Sequence, residues 1–384
     1  MIIPFHRPNI PKNWNDLFLD SIKSGWLTTG SIVQTFEEKL SNYLSSEYVI
    51  ALNSCTGALH LALLAKGFGE DYKFIAPTFT FVSTIECGCY VGMKPILIDS
   101  QKDGFLIDLN KVEDILKRDT SIKAIIPVHY AGESLNLKSL YDIAEKYGIF
   151  VLEDAAHALE SVSNIGKVGN TNYAAAFSFY ANKNLTTAGE GGIVSTNDLK
   201  LAKKIKRLSL HGMTKDGWNR FQTYGKWEYD IVDLGYKYNM TDISASFGLW
   251  QLNNLEHWKF RRIEIANQYE KAFKKIDGLI LPDLNKGHAR HLYVIQLDLS
   301  KWLISRNEFI EKMNNRGIGL AVHYKPIHML SFFKRKYDYK FDEFPRANKL
   351  FESVISLPIY PLLTDRELSY IIEAVFELSE KYIK

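Results

Sequence analysis

The chain has 384 residues, 46% of them apolar and 24% charged, the balance of an ordinary globular protein with a large core and room for two domains. Its formal net charge is only +3, with lysines and acids interleaved and no basic block or arm, which argues against nucleic acid or an anionic membrane surface as a partner. No apolar run approaches the roughly 18 residues of a membrane span, and the N-terminus lacks a signal-peptide pattern.

Residues 1–25 read as an arm and a first helix. Between residues 47 and 200, short β-rich runs alternate with amphipathic helices. YVIALN (48–53) precedes a helix-like GALHLALLAKG (57–67), and KFIAP (73–77), KPILID (94–99), KAIIPVHY (123–130) and IFVLEDA (149–155) read as strands. Before the last of these, Leu137, Leu140, Ala144 and Tyr147 form a helical stripe that ends at Gly148, a C-cap position. This alternation predicts an α/β fold with a mostly parallel central sheet flanked by helices. From about residue 252 the texture changes. A long charged helix (255–276) leads to a strand-like HLYVIQLDL (291–299), a helix near 305–315, and a further β-rich run, IGLAVHY (318–324). We expect a large domain with the N-terminal arm over 1–251 and a smaller C-terminal α+β domain over 252–384. Cys55, Cys87 and Cys89 have no framework spacing, so buried thiols in a reducing, cytoplasmic setting are expected, with no metal site.

Ligands of open α/β sheets bind at the carboxyl ends of strands, and several polar groups fall there. In NSCTGALH (53–60) a strand ends in small polar residues and a helix begins. The helix start can be a simple N-cap, or its free N–H groups can hold a phosphate. In VLEDAAHA (151–158) Asp154 ends an apolar strand, either as a structural cap or as an acid facing a protonated heterocyclic nitrogen. Lys183 follows the apolar AAAFSFY, 29 residues after Asp154. Desolvation at such a strand end makes an amine nucleophilic toward carbonyls, whereas most lysines simply reach solvent. Ser178 is a compact phosphate ligand, Gly189-Glu-Gly-Gly permits close backbone approach, and Phe81 is either a core residue or a ring that stacks on a cofactor. No GxxxxGK[ST] is present, and the glycine cluster lacks a dinucleotide fingerprint. A covalent lysine, a pyridinium-facing acid and a phosphate-holding helix start describe a pyridoxal phosphate (PLP) site.

The sequence also resembles the DegT/DnrJ/EryC1/StrS sugar aminotransferases, of the aspartate-aminotransferase-like fold (fold type I). The likeness rests on GWLTTG (25–30), NSCTGALHLAL (53–63), PVHYAG (127–132), VLEDAAHA, FSFYANKNLTTAGEGG (177–192), GYKYNMTDISASFGLWQL (235–252) and VHYKPIH (322–328), in that order. It implies that Lys183 carries the cofactor covalently and that Asp154 faces the pyridinium nitrogen. His157 then lies beside the phenolic oxygen, Cys55, Thr56, Gly57 and Ser178 contact the phosphate, and Phe81 stacks on the ring. Asn239 is expected to reach the phosphate of the neighbouring subunit, which makes the protein a homodimer with shared active sites. Thr29, His323 and Lys325 are candidate substrate contacts. The implied reaction takes an amino group from L-glutamate, through pyridoxamine phosphate, to a nucleotide-linked keto-sugar. The LTT…GEGG pattern looks like C4-specific members, and an amino sugar for a surface glycan such as O-antigen is the expected product. A C3-specific aminotransferase and a PLP-dependent keto-sugar dehydratase are the alternatives, although dehydratases of the family carry His where this chain has Lys183.

Overall fold

The computed structural model describes residues 1–12, 14–214 and 229–384. Its strands are β1 (Tyr48–Leu52), β2 (Lys73–Pro77), β3 (Lys94–Ile98), β4 (Ile122–Ile125), β5 (Phe150–Asp154), β6 (Val162–Ser163), β7 (Gly166–Lys167), β8 (Ala174–Ser178), β9 (Gly192–Thr196), β10 (Leu279–Ile280), β11 (Tyr293–Leu297) and β12 (Val354–Leu357). Seven of them form the large sheet in the order β1-β9-β8-β5-β4-β2-β3. β2, β3, β4, β5 and β8 pair in parallel, and β9 runs antiparallel to both β8 and β1. The expected mostly parallel α/β sheet is therefore present, with β9 as its reversed strand.

The helix Cys55–Lys66 shows why this layer is stable. Ala58, Leu59, Leu61, Ala62 and Leu63 are all fully buried, so the helix is apolar around its whole circumference, as expected of a core helix. Burying each of Leu59, Leu61 and Leu63 is worth roughly 1.5–3 kcal/mol. Helix Leu137–Tyr147 is instead amphipathic. Its Leu137, Leu140 and Ala144 face inward, Asn136 caps its start, and Gly148 ends it in the left-handed region at φ 63°.

A second core lies around β11, β12 and the helix Asp365–Tyr382, with Leu368, Ile371, Val375 and Leu378 buried in it. The arm joins this core, because Ile3 is fully buried there and bridges Ile318. IGLAVHY is not a regular strand; it contributes only the bridges Ile3–Ile318 and Ala321–Ser356. The long helix runs over Asp242–Phe273 and starts well before residue 255. Thr241 caps it by accepting from Ser244 N–H, and its first turns bury Ala245 and Phe247. The change of sequence texture near 252 marks where this one helix leaves the first core, at Leu255, and enters the second, at Ile265.

Arg262 sits between those two points. Its guanidinium is paired with Glu160 at 2.5 Å, and both side chains are essentially inaccessible. The same carboxylate accepts from Asn184 Nδ2, the residue after Lys183. Glu160→Ala leaves a buried guanidinium unpaired and should destabilise the protein by about 3 kcal/mol. Calorimetric unfolding checks this, and an unchanged Tm would refute it.

Candidate active site

The carboxyl ends of β2, β5 and β8, the start of β9 and the first turn of helix Cys55–Lys66 surround a cavity of about 530 Å³. Cys55, Thr56, Phe81, Asp154, His157, Ser178, Lys183 and His323 all line it. Sequence separations of more than a hundred residues are closed here by the sheet topology. Gly57 stands just behind the wall, with its N–H taken by the Ser54 hydroxyl at 3.0 Å. Ser54 is thus the N-cap, and the cap and phosphate readings of this segment are compatible, because a helix start leaves several N–H groups without intrahelical partners.

Lys183 lies in the loop between β8 and β9, its N–H held by Tyr180 C=O at 2.9 Å. Burial lowers its ammonium from the ordinary 10.5 to about 8, against the opposing pull of Cys55 and Asp154. Asp154 accepts from Thr84 Oγ1 at 2.7 Å and from Ala156 N–H at 3.2 Å. Burial nevertheless pushes its carboxyl above the usual range, outweighing those two bonds and the nearby Lys183 and His129. A cation set against this carboxylate reverses that sign. Burial also pushes the Cys55 thiol well up, which leaves it neutral and unreactive.

His157 is held on both sides, by Ala131 N–H at Nδ1 (3.1 Å) and by the Tyr324 hydroxyl at Nε2 (2.9 Å). Burial keeps its ring neutral. His323 is likewise neutral, lowered to about 3 by burial, and its Nδ1 meets Ser356 Oγ at 2.8 Å. Phe81 is 55% exposed and lines the cavity, so it is a wall residue and not a core one.

Three sequence candidates lie elsewhere. Lys325 is exposed and lines a separate cavity with His328, Lys334 and Phe341. Thr29 donates to Met240 C=O at 2.6 Å and accepts from Asn239 Nδ2 at 2.6 Å, and neither Thr29 nor Asn239 lines this chain's cavity. Sequence reasoning missed Thr84 and Tyr324 as partners of the central groups. Tyr324 lies inside the quoted VHYKPIH, but nothing in that string points to a residue 167 positions away.

The last glycine of GEGG has a steric reason. A Cβ at Gly192 would stand 2.5 Å from Cys55 N and 2.8 Å from Phe177 C=O. These are backbone atoms of the helix start and of β8, so neither can give way easily. Gly192→Ala should cost roughly 1–3 kcal/mol of stability. Thermal unfolding would check this, and a variant that melts with the wild type would refute it.

The DegT/DnrJ/EryC1/StrS aminotransferase family profile matches residues 8–376. The chain belongs to that family. It is 40% identical over 379 residues to the spore coat polysaccharide biosynthesis protein SpsC of Bacillus subtilis, covering 98% of this chain and 97% of SpsC. Among solved structures it is similar to Spr1654 of Streptococcus pneumoniae, assigned as a sugar aminotransferase. The pyridoxamine form gives 34% identity, a TM-score of 0.91 and 99% coverage of both chains. The PLP form gives 32% identity, a TM-score of 0.90 and the same coverage. Helicobacter pylori PseC, an aminotransferase of pseudoaminic acid biosynthesis, is 28% identical with a TM-score of 0.90, covering 99% of this chain and 100% of PseC. This family member is therefore a PLP-dependent sugar aminotransferase. Among the described residues, no helix is long and apolar enough to cross a membrane.

Proposed function

We propose that this aminotransferase moves the amino group of L-glutamate to C4 of a nucleotide-linked keto-(deoxy)sugar, giving an amino sugar for a surface glycan. The observation that carries this reading is Lys183, an amine held near pKa 8, in one cavity with the buried carboxylate of Asp154. The similarity to a polysaccharide biosynthesis protein and to a pseudoaminic acid enzyme supports the glycan assignment.

The residues fit the cofactor. Asp154 is a buried acid whose ionisation needs a cation, and a protonated pyridine nitrogen supplies one. Ser178, Thr56 and the backbone of Cys55 and Gly57 offer hydroxyls and a helix start to the phosphate. Phe81 offers a ring face, and His157 would stand beside the cofactor's oxygen. When bound, PLP acts as an electron sink for the pair left by a departing C–H proton. Lys183 would bond the cofactor, and its amine, once freed, would take that proton at Nζ and return it to the carbon on the far side of the intervening nitrogen, a 1,3 shift. A pKa near 8 suits both directions at neutral pH. Asn239, outside its own chain's cavity, serves the phosphate in the neighbouring subunit of a homodimer. His323 is the substrate contact we retain; Thr29 and Lys325 are not part of this proposal. We also propose the division at 251/252 into a PLP-binding domain and a smaller one, supported by the change of core along the helix Asp242–Phe273.

A half-reaction screen tests the function. Glutamate should convert the holoenzyme to its pyridoxamine form, and a UDP-, dTDP- or GDP-linked 4-keto-sugar should reverse the spectrum. Failure with glutamate removes the donor assignment, and response only to 3-keto-sugars removes the C4 assignment.

A further inference from the structure

The wall of the cavity contains a hydrogen-bond arrangement whose direction follows from geometry alone. Ala131 has φ 58°, a left-handed conformation uncommon for a residue with a Cβ. That turn aims the Ala131 N–H at His157 Nδ1, 3.1 Å away, while its C=O accepts from His291 and Leu292 N–H. An N–H can only donate, so Nδ1 must present its lone pair. A neutral imidazole with Nδ1 unprotonated carries its proton on Nε2. Nε2–H therefore donates to Tyr324 Oη at 2.9 Å, and the tyrosine's own proton is left for another acceptor.

Tyr324 lines the same cavity as Lys183. Several other polar groups on this wall already have partners. Thr80 Oγ1 meets Thr84 Oγ1, Ser54 Oγ meets Asn53 Oδ1, and His323 Nδ1 meets Ser356 Oγ. Burial pushes the Tyr324 hydroxyl far above its ordinary pKa, so it keeps its proton. His157 cannot act as a relay behind it, because passing on the Nε2 proton would require Nδ1 to gain one where Ala131 N–H already points.

We propose that Tyr324 is the fixed hydrogen-bond donor to the carbonyl oxygen of the oxo-substrate, with His157 and the Ala131 turn as its positioning residues. This rests on the aminotransferase activity, in which a C=O carbon must approach the nitrogen chemistry at Lys183. As the amine nitrogen of the pyridoxamine form attacks that carbon, the C=O π bond opens and negative charge gathers on the oxygen. A protonated hydroxyl inside the cavity stabilises that charge. The two protons shed by the nitrogen pass through Lys183 Nζ to the oxygen, which departs as water. No proton leaves the tyrosine in this role.

The test uses the holoenzyme in its pyridoxamine form, reacted in single turnovers with 2-oxoglutarate. Tyr324→Phe should lower the saturating rate by about 100-fold with the substrate dissociation constant changed less than about 3-fold. ¹⁵N NMR of histidine-labelled holoenzyme should show His157 neutral, with Nε2 protonated and Nδ1 not. The proposal is overturned by an unchanged rate, by a protonated Nδ1, or by a lost Tm together with weakened substrate binding, which would mark Tyr324 as structural. If the wild-type enzyme ignores 2-oxoglutarate, the donor assignment fails instead, and the same single-turnover comparison of wild type and Tyr324→Phe with the nucleotide-linked keto-sugar decides this proposal.

Discussion

Lys183→Met is expected to lower kcat by at least about 10⁴-fold while raising the stability of the cofactor-free protein. On the role proposed for Lys183, the loss of activity follows from removing the amine that would bond the cofactor and carry the proton. The gain in stability follows from its pKa. Burial lowers the ammonium from 10.5 to about 8, so between those values the unfolded chain binds the proton that the folded chain has released. Stability therefore rises with pH through that window and is lost as pH falls toward 8. Below about 8 the full penalty is present, worth up to about 3 kcal/mol. Methionine fills similar space without the charge. Denaturant unfolding of cofactor-free wild type and variant should show the variant more stable at pH 7, with the gap closing toward pH 10.5. A gap independent of pH would mean that the amine is not desolvated.

Asp154→Asn should lower kcat by roughly 10³-fold and leave the fold intact. The amide can still accept from Ala156 N–H and can still bond Thr84 Oγ1, so the local geometry survives. What disappears, on the role proposed for Asp154, is the negative charge that would keep a ring nitrogen protonated. The same reasoning makes Thr84 important, since its hydroxyl is among the forces holding the carboxyl ionised against burial. Steady-state kinetics with glutamate, alongside circular dichroism, checks this prediction. A variant with wild-type kcat would remove Asp154 from the chemistry.

Much of this site was legible because its central groups sit where local patterns change. Asp154 and Ser178 end apolar strands, and Lys183 follows one and stands six residues before the GEGG cluster at 189–192. Strand boundaries at β2, β3 and β5 followed from short apolar runs between turn signals. The reversed β9 was less visible, since GIVST reads as part of the glycine segment and nothing in it states direction. The first turns of the long helix carry little sequence signal, because they pack into a core and hold few charges. Lys325 and Thr29 show the limit of adjacency: His323 and Tyr324 line the cavity, yet Lys325, the next residue, faces a different one. Tyr324–His157 and Thr84–Asp154 are pairings made by topology, across 167 and 70 residues, and no local pattern encodes them.

The most direct measurement is peptide mapping of the holoenzyme after borohydride reduction. The reduced pyridoxyl group should be found on the peptide carrying Lys183, and Lys183→Met should carry none. A pyridoxyl group on a different lysine, or its persistence in the variant, would contradict the assignment of Lys183 as the cofactor-bearing residue.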